Sequence, residues 1–262
     1  MQPIGIIGGS GFYDLLENAE VFIHDNEYGR SSEIFKGTID GYPVYFLPRH
    51  GPEHKIIVPR INYRANMKAF KDLGIQRIIA TNSVGALNPN IGLGDMAIPD
   101  DFLDMTKRAP YSMYDNTVEA YHVGMTPAYC PVVRKALIDA ANIVTPGRVH
   151  PNCKIVVTEG LHYETQLEDR FYQMLGIDLV GMTTLPEAVF ARELAMCYAH
   201  ICLPNNYCIG VEINAAELPV LLKEGVENFK KIIRLAIPVL AAEEEEDCVC
   251  KHALDHAILA KN

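Results

Sequence analysis

The stretch Ile4-Gly5-Ile6-Ile7-Gly8-Gly9-Ser10-Gly11 predicts a short buried β-strand that breaks at a glycine-rich turn, with a helix following from Phe12. Such a turn lets backbone N–H groups and a hydroxyl approach an anion near a helix N-terminus. It is also found in tight strand–helix connections that bind nothing. A dinucleotide-binding fingerprint beginning at Gly9 would place Asp14 at its third glycine. A carboxylate there repels a pyrophosphate, which weakens that interpretation.

Apolar strands and helical patterns alternate along the rest of the chain. The predicted strands cover 21–24, 32–36, 42–48, 77–81, 95–99, 154–158, 178–181 and 198–203. The predicted helices cover 62–73, 163–175, 186–196 and 217–242, the last interrupted at Pro238. This alternation predicts an α/β class: a single domain over 1–242 with a central mixed, largely parallel β-sheet flanked by helices. Residues 243–262 form an acidic tail with a Cys-x-Cys motif, expected to pack on the domain or extend from it.

Composition excludes several classes of protein. The 262 residues are 49% hydrophobic and 21% charged, as in a globular enzyme, and the formal net charge is −10. A negative chain is unsuited to general binding of nucleic acids or anionic membranes, so neither partner is expected. No apolar run is long enough to span a bilayer, and the N-terminus lacks the basic region of a signal peptide. We therefore expect a cytoplasmic location.

The seven cysteines fall into two groups. Five lie among apolar neighbours and are expected to be reduced, mostly buried thiols: Cys130, Cys153, Cys197, Cys202 and Cys208. The other two, Cys248 and Cys250, have three open interpretations. They could bind a metal together with His252 and His256, form a disulfide, or be surface thiols without a role.

Polar side chains follow several predicted strands, at the edge where open α/β sheets bind ligands. Arg49 and His50 follow the strand over 42–48, and a guanidinium suits bidentate recognition of phosphate. Neutral donors follow other strands at Asn82, Ser83 and Thr183. Together with Ser10 in the first turn, four separate strand ends supply anion-binding groups. The pattern indicates a phosphate site.

Five stretches together carry a resemblance to a known family: Gly8-Gly9-Ser10-Gly11, Leu47-Pro48-Arg49-His50-Gly51, Ile61-Asn62-Tyr63-Arg64-Ala65-Asn66, Thr81-Asn82-Ser83-Val84-Gly85 and Gly181-Met182-Thr183-Thr184-x-Pro186-Glu187. The chain resembles the methylthioadenosine phosphorylase branch of the purine nucleoside phosphorylases. The resemblance implies a mixed sheet core, a homotrimer or homohexamer, and inorganic phosphate as co-substrate without a metal or organic cofactor. It also implies phosphate contacts from six residues: Ser10, Arg49, His50, Asn82, Ser83 and Thr183.

The resemblance further assigns residues around the nucleoside. Met182 would pack on the sugar and Tyr163 would stack against the base. His122 matches a family histidine that reaches the 5′ end of the sugar in a neighbouring subunit. Pro219 stands at a family specificity position for the 5′ group, with Leu222 nearby. An apolar pocket of this kind would accept a methylthio group.

The base-binding positions depart from the adenine-cleaving members. Those members carry two aspartates where this chain has Asn206 and Cys208. An asparagine resembling Asn206 contacts N7 and O6 in 6-oxopurine phosphorylases, which also share the Tyr163-Glu164-Thr165 pattern. The Glu164 carboxylate only accepts hydrogen bonds, so it complements the protonated N1 of a 6-oxopurine. Its other interpretation is a helix N-terminal carboxylate favoured by the dipole.

We therefore expect a purine nucleoside phosphorylase acting on inosine, guanosine or methylthioinosine, with catalytic roles for Asn206, Glu164 and His50. One departure from the family leaves alternatives open: Glu159-Gly160-Leu161-His162 stands where the family has Glu-Gly-Pro-Arg. The alternatives are a methylthioadenosine phosphorylase and, from another class, a non-catalytic nucleoside-binding protein.

Overall fold

The computed structural model describes residues 1–9, 11–51, 54–107, 110–114, 119–208, 218–242, 248–255 and 257–261. Within these ranges the chain forms five α-helices and fifteen strands. The helices are α1 (Tyr63–Asp72), α2 (Pro131–Val144), α3 (Gln166–Met174), α4 (Thr184–Glu193) and α5 (Leu218–Ala242). The strands are β1 (Ile4–Gly8), β2 (Glu17–Phe22), β3 (Asp25–Asn26), β4 (Gly29–Arg30), β5 (Ile34–Ile39), β6 (Tyr42–Pro48), β7 (Arg77–Ala86), β8 (Met96–Ala97), β9 (Asp101–Asp104), β10 (Glu119–Tyr121), β11 (Val149–His150), β12 (Lys154–Val157), β13 (Leu179–Gly181), β14 (Cys197–Tyr207) and β15 (Ile258–Lys261).

Eleven of the described strands form one mixed sheet. Its main path runs β11-β8-β14-β7-β1-β6-β5-β2, and β13, β12 and β9 continue from β7 on a second path. The central pairs β6–β1, β1–β7 and β7–β14 are parallel, whereas β7–β13, β8–β14, β5–β6 and β2–β5 are antiparallel. Helix α1 packs against α4, α2 packs against α5, and α2, α4 and α5 contact β14. The predicted α/β class with a mixed, largely parallel sheet is confirmed.

The central strand β1 is buried along its whole length. A strand covered on both faces needs apolar side chains at successive positions, and Ile6 and Ile7 provide them. Gly5, between Ile4 and Ile6, has no side chain where α1 packs closely: a Cβ on Gly5 would lie 2.8 Å from the ring of Phe70. This packing holds the carboxyl end of β1 in place, next to the end of β6.

The segment after β1 differs from the prediction. The helix expected from Phe12 is wrong: a short 3-10 turn, Tyr13–Leu15, is followed by β2. Phe12 and Leu15 are both buried by this single turn, so no amphipathic helix is needed to cover them. β2 then pairs antiparallel with β5 as the edge strand of the main path, where its charged side chains remain exposed.

Helix boundaries also differ in ways that matter for the site. Helix α3 begins at Gln166, because Thr165 and Glu168 form a capping box in which each side chain satisfies the other's backbone N–H. Tyr163 and Glu164 therefore precede the helix that was expected to contain them. Helix α2 was not predicted, and α5 continues through Pro238 without interruption.

Two strands run beyond their predicted ends. β7 extends to Ala86 and β14 to Tyr207, so the polar residues expected just after these strands lie within them. In the tail, β15 pairs antiparallel with β10. The helices of the described segments include none with the length and apolar content of a membrane span.

Candidate active site

A cavity of about 520 Å³ opens at the carboxyl ends of β1 and β6, beside the second half of β7 and the ends of β13 and β14. Its volume is typical of a site for a small organic ligand. The structure brings ten of the predicted site residues together in its lining: Arg49, His50, Asn82, Ser83, Tyr163, Glu164, Met182, Thr183, Asn206 and Cys208. Helix α5 closes the same cavity with the apolar side chains of Leu222, Val226 and Phe229.

Three predicted residues are not placed there. Ser10 lies outside the described residues. Pro219 is exposed at the start of α5, whereas Leu222 of the same helix reaches the lining. His122 is exposed and does not line the cavity of its own chain; its backbone N–H donates to the carbonyl of Ala257 at 2.9 Å.

Arg49 is fixed at the inner end of the cavity by a buried ion pair. Its Nε and Nη2 donate to the two carboxylate oxygens of Glu187 at 2.6 and 3.0 Å, and Nη1 donates to the carbonyl of Thr81 at 2.8 Å. Burial opposes the charge, yet the Glu187 carboxylate raises the pKa of Arg49 above its ordinary value. The guanidinium uses three of its five N–H groups here and so retains two for a ligand.

Glu187, which holds Arg49, was not among the predicted site residues. It lies on the buried face of α4, and its Oε2 also accepts from the hydroxyl of Tyr198 at 2.8 Å. The available signal was a carboxylate directly after Pro186 in one of the motifs. A buried carboxylate requires a cationic partner, and Arg49 supplies it.

A hydrogen-bonded chain orients two of the neutral donors. The hydroxyl of Thr183 donates to Oδ1 of Asn82 at 2.7 Å, and Nδ2 of Asn82 donates to Nδ1 of His200 at 2.9 Å. Burial, followed by the charge of Arg49, lowers the pKa of His200 to about 3. His200 is therefore neutral and accepts at Nδ1, which fixes the orientation of the Asn82 amide. His200 was also missed, although a histidine within an apolar buried strand is a signal that could have found it.

His50 is an uncharged group at the same end of the cavity. Its Nδ1 donates to the carbonyl of Ile56 at 2.8 Å, and its ring stacks on His54 with centroids 4.1 Å apart. Burial is the main cause that lowers the pKa of His50 to about 4, assisted by the charge of Arg49. At neutral pH, Nδ1 carries the proton and Nε2 is left as an acceptor.

The outer end of the cavity carries Glu164, Tyr163 and Asn206. Glu164 is half-buried, and its Oε1 accepts from the hydroxyl of Thr158 at 2.8 Å. Tyr163 beside it is 74% exposed. The preceding loop packs on Met182: a Cβ on Gly160, whose φ is +68°, would lie 2.7 Å from Sδ of Met182. This loop therefore needs a glycine, and it delivers Glu164 to the cavity without the proline and arginine of the family pattern.

A close approach of two strands places Asn206 and Cys208. Asn206 is paired with Gly85 of β7. A Cβ on Gly85 would lie 2.4 Å from Sγ of Cys208 and 3.4 Å from Nδ2 of Asn206. Burial, followed by the carboxylates of Asp169 and Glu164, raises the pKa of Cys208 to about 12. Cys208 therefore presents a neutral thiol to the cavity.

The arrangement suits recognition of an anion next to a polar ring. A permanent cation and neutral donors lie at the inner end, while an acceptor-only carboxylate and an amide lie at the outer end beside an exposed aromatic ring. Apolar side chains of α5 line the space alongside. These are the groups needed to hold a phosphate, a sugar and a heterocyclic base in one cavity.

Comparisons with known proteins cover nearly the whole chain. Residues 3–238 match the family model described as the phosphorylase superfamily. The chain is 42% identical to the "Probable S-methyl-5′-thioinosine phosphorylase" of Methanothermobacter thermautotrophicus, over 96% of this chain and 88% of that protein. It is also 42% identical to the 6-oxopurine nucleoside phosphorylase of Pyrococcus furiosus, over 98% of this chain and 99% of that protein.

A solved structure agrees with the sequence comparisons. The crystal structure of a methylthioadenosine phosphorylase from an Antarctic soil metagenomic library matches with a TM-score of 0.93 at 31% identity. The match covers 98% of this chain and 92% of that one. The resemblance found in the five sequence motifs is confirmed. Because family model, relatives and solved structure coincide over the segments that build the cavity, the chain belongs to the phosphorylase superfamily.

Proposed function

We propose that this chain catalyses phosphorolysis of purine nucleosides that carry an oxygen at C6: inosine, guanosine or methylthioinosine. The products are the free base and ribose 1-phosphate or methylthioribose 1-phosphate, as in purine salvage. The observation that carries the proposal is the pairing of Glu164 and Asn206 at one end of a cavity whose other end holds Arg49. Relatives named for 6-oxopurine nucleosides and methylthioinosine support the same reaction.

The inner end would hold phosphate. Arg49 supplies a fixed charge, and Asn82 and Ser83 add neutral donors. The Thr183 hydroxyl would turn from Oδ1 of Asn82 toward the phosphate, and Ser10 is proposed as a further contact. As the bond between C1′ and N9 breaks, its electron pair passes to the purine and the sugar gains positive charge. A phosphate oxygen stabilises that charge and forms the new bond to C1′. Catalysis then rests on positioning and electrostatics, and no cofactor beyond phosphate is required by this reaction.

His50 would act as a neutral acceptor toward the same ligand. Because its Nδ1 proton is engaged by the Ile56 carbonyl, Nε2 is the atom left to interact. An acceptor suits the hydroxyl of a protonated phosphate. His50 would therefore favour one protonation state and one orientation of the nucleophile.

The outer end would read the base. Glu164 accepts from the N1–H of hypoxanthine or guanine, whereas N1 of adenine is itself an acceptor and would be repelled. Asn206 would donate to O6 or N7 and so stabilise the negative charge that develops on the leaving purine. Cys208 adds no negative charge, because its thiol is neutral. Tyr163 would stack against the base and Met182 would pack on the sugar.

The 5′ group would face α5. The apolar side chains of Leu222 and Val226 in the lining support acceptance of a methylthio group. This lining also favours the second candidate, a methylthioadenosine phosphorylase. Pro219, one turn earlier on α5, stays a proposed determinant of the 5′ group.

A homotrimer or homohexamer is proposed from the outer surface of α3. Leu167, Phe171 and Met174 are exposed on one side of this helix, at 77%, 47% and 84%. Large apolar side chains grouped in this way are typical of contacts between subunits. A neighbouring subunit packed there would also lie beside Tyr163 and could bring its own His122 to the sugar. A cytoplasmic location is proposed as well, because all seven cysteines are unbonded.

The decisive experiment measures base release from inosine, guanosine, adenosine and their methylthio forms, with and without phosphate. We expect release only with phosphate, formation of a sugar 1-phosphate, and faster cleavage of the 6-oxopurines. Equal release in phosphate-free buffer would identify a hydrolase. Binding without release in either buffer would identify a nucleoside-binding protein. Preference for methylthioadenosine would remove Glu164 and Asn206 as readers of a 6-oxopurine.

A further inference from the structure

Four cysteines from distant parts of the sequence converge at a place that does not belong to the cavity. Their Sγ atoms all lie within 4.8 Å of one another. All four are buried: Cys130, Cys197, Cys248 and Cys250 are 0%, 7%, 8% and 1% exposed. This tetracysteine cluster consists of Cys130, Cys197, Cys248 and Cys250.

Three structural elements supply these thiols. Cys130 is the N-cap residue of α2, and Cys197 is the first residue of β14. The Cys248-x-Cys250 motif lies in the turns of the C-terminal tail. The sulfur of Cys248 is 3.5 Å from that of Cys130 and 3.3 Å from that of Cys197. The cluster therefore joins the tail to the sheet and to a helix.

The spacing fits a four-coordinate metal. With zinc–sulfur bonds near 2.3 Å, the sulfur atoms of a tetrahedral site are separated by about 3.8 Å. A disulfide instead requires about 2.0 Å, and all seven cysteines of the chain are unbonded. Four sulfur ligands without an open position, shielded from solvent, are typical of structural zinc sites rather than catalytic ones.

We propose that the tetracysteine cluster binds one structural zinc ion. Binding replaces the four thiol protons with one Zn²⁺, so the completed site carries two negative charges. The position of Cys130 at the N-terminus of the fourteen-residue helix α2 favours a thiolate, because the helix dipole is positive there. This proposal replaces the expectation that the chain binds no metal.

The cluster also corrects the earlier interpretations of the tail. Cys248 and Cys250 are buried, so the interpretation as surface thiols is wrong. The metal interpretation combined Cys248 and Cys250 with His252 and His256. His252 is exposed and its Nδ1 is 2.7 Å from the carboxylate of Asp255, while His256 lies outside the described residues. The other two cysteines of the cluster, Cys130 and Cys197, are far from Cys248 and Cys250 in the sequence and were not part of that interpretation.

Zinc at this place would hold the tail against the domain. Beyond the cluster, the tail forms β15, which pairs with β10, and the Ala257 carbonyl accepts the backbone N–H of His122. The metal would thus fix the segment that carries His122 without touching the cavity. Its role is structural, so the test does not depend on which nucleoside is cleaved.

The experiment begins with the intact protein purified without chelator. We expect about one zinc ion per chain by elemental analysis. After unfolding without reductant, all seven cysteines should react with a thiol reagent, since no disulfide is present. Replacing zinc by Co²⁺ should give the strong visible bands of a tetrahedral thiolate site. Absence of zinc together with oxidised cluster cysteines would overturn the proposal, because the four thiols would then form disulfides.

Variants identify the ligands. Cys250→Ser and Cys130→Ser should lose most of the zinc and unfold at lower temperature. Cys153→Ser is the matched control, because Cys153 is buried outside the cluster and its variant should keep the metal. His252→Ala should keep it too. Loss of zinc from His252→Ala, or full retention in Cys250→Ser, would overturn the ligand set. If the cluster variants do not fold, the zinc and thiol measurements on the intact protein still decide the proposal.

Discussion

The two ends of the cavity are built in opposite ways. At the inner end, Arg49 and His200 are 2% and 0% exposed and each is tied to groups on other strands or helices. At the outer end, Tyr163 is 74% exposed and Glu164 belongs to a loop before a helix. The inner end is formed by buried residues of the sheet core, whereas the outer end is formed by partly exposed residues at the edge of the sheet.

In the proposed reaction, this difference would separate two tasks. Holding an anion requires the same charge and donors whatever base is cleaved, so those groups can be fixed by the sheet. Reading a base requires a few side chains that can change without disturbing the core. Disruption of the inner end should therefore reduce stability and activity together, while disruption of the outer end should change substrate choice and rate with little loss of stability.

The largest effect is expected for Glu187→Ala. Removing this carboxylate leaves the buried charge of Arg49 without its partner, which should lower the free energy of unfolding by about 3–5 kcal/mol. The apparent affinity for phosphate should change as well, because Arg49 would be free to move. Chemical denaturation and the phosphate dependence of the rate measure the two effects.

Glu193→Ala is the control for that variant. Glu193 is also buried, but it accepts from Ser112 and the backbone of Met113 and does not line the cavity. The Glu193→Ala variant should be less stable than the unmodified chain but should have the same KM for phosphate. An equal rise in KM in both variants would mean that the Arg49–Glu187 pair only supports the fold.

At the outer end, Asn206→Asp and Glu164→Gln should change substrate choice. Each replaces a group suited to a 6-oxopurine by one suited to adenine. A lost hydrogen bond to a charged group is worth about 1.5–3 kcal/mol, so the inosine-to-adenosine ratio of kcat/KM should fall by about ten- to a hundredfold. Stability should change little, since neither side chain is fully buried.

Glu168→Gln serves as the comparison for the charge change. Glu168 lies near Glu164 but caps α3 and does not line the cavity. Its variant should keep the inosine-to-adenosine ratio of the unmodified chain. A ratio that falls equally in Glu168→Gln would show that net charge near the rim, and not contact with the base, sets the preference.

The smallest effect concerns pH and the inner end. Because burial lowers the pKa of His50 to about 4, the unfolded chain binds a proton at this residue below pH 6.5 while the folded chain does not. The stability from a neutral His50 is thus complete above pH 6.5. As the pH falls from 6.5 to about 4, this contribution decreases by about 1 kcal/mol per pH unit.

Unfolding free energies at pH 6 and pH 5 test this prediction. His50→Gln should reduce the difference between the two values by about 1 kcal/mol relative to the unmodified chain. The remaining dependence includes His200, whose pKa is lowered to about 3. An unchanged difference in His50→Gln would mean that the ring has the same pKa in the folded and the unfolded chain.

The sequence predicted the general location of the inner end because the carboxyl ends of parallel strands meet at one edge of a sheet. Asn82, Ser83 and Thr183 were found in this way. Glu187 and His200 were not, because no local pattern encodes their partners. Glu187 meets Arg49 through the packing of α4 against the sheet, and His200 meets Asn82 through the pairing of β14 with β7. The role of a buried polar side chain can be inferred only when its hydrogen-bond or ionic partner is known.

The tetracysteine cluster illustrates the same limit. Cys248 is separated from Cys130 by 118 positions and from Cys197 by 51. Metal sites are recognised in sequence by short ligand spacings, and only the Cys248-x-Cys250 pair is local. The α/β class, in contrast, was predictable because it follows from repeated local alternation of strands and helices.

Gly85 has a consequence for redesign of the substrate range. Because it has no side chain, the volume beside it is shared by the residues at positions 206 and 208. A library that varies one of these positions alone would mostly sample clashes or voids. Varying both together, with their combined size held constant, would explore new base preferences while Gly85 stays unchanged. The space that Gly85 leaves open thus sets the combined volume of the side chains at positions 206 and 208, which can be exchanged as a pair.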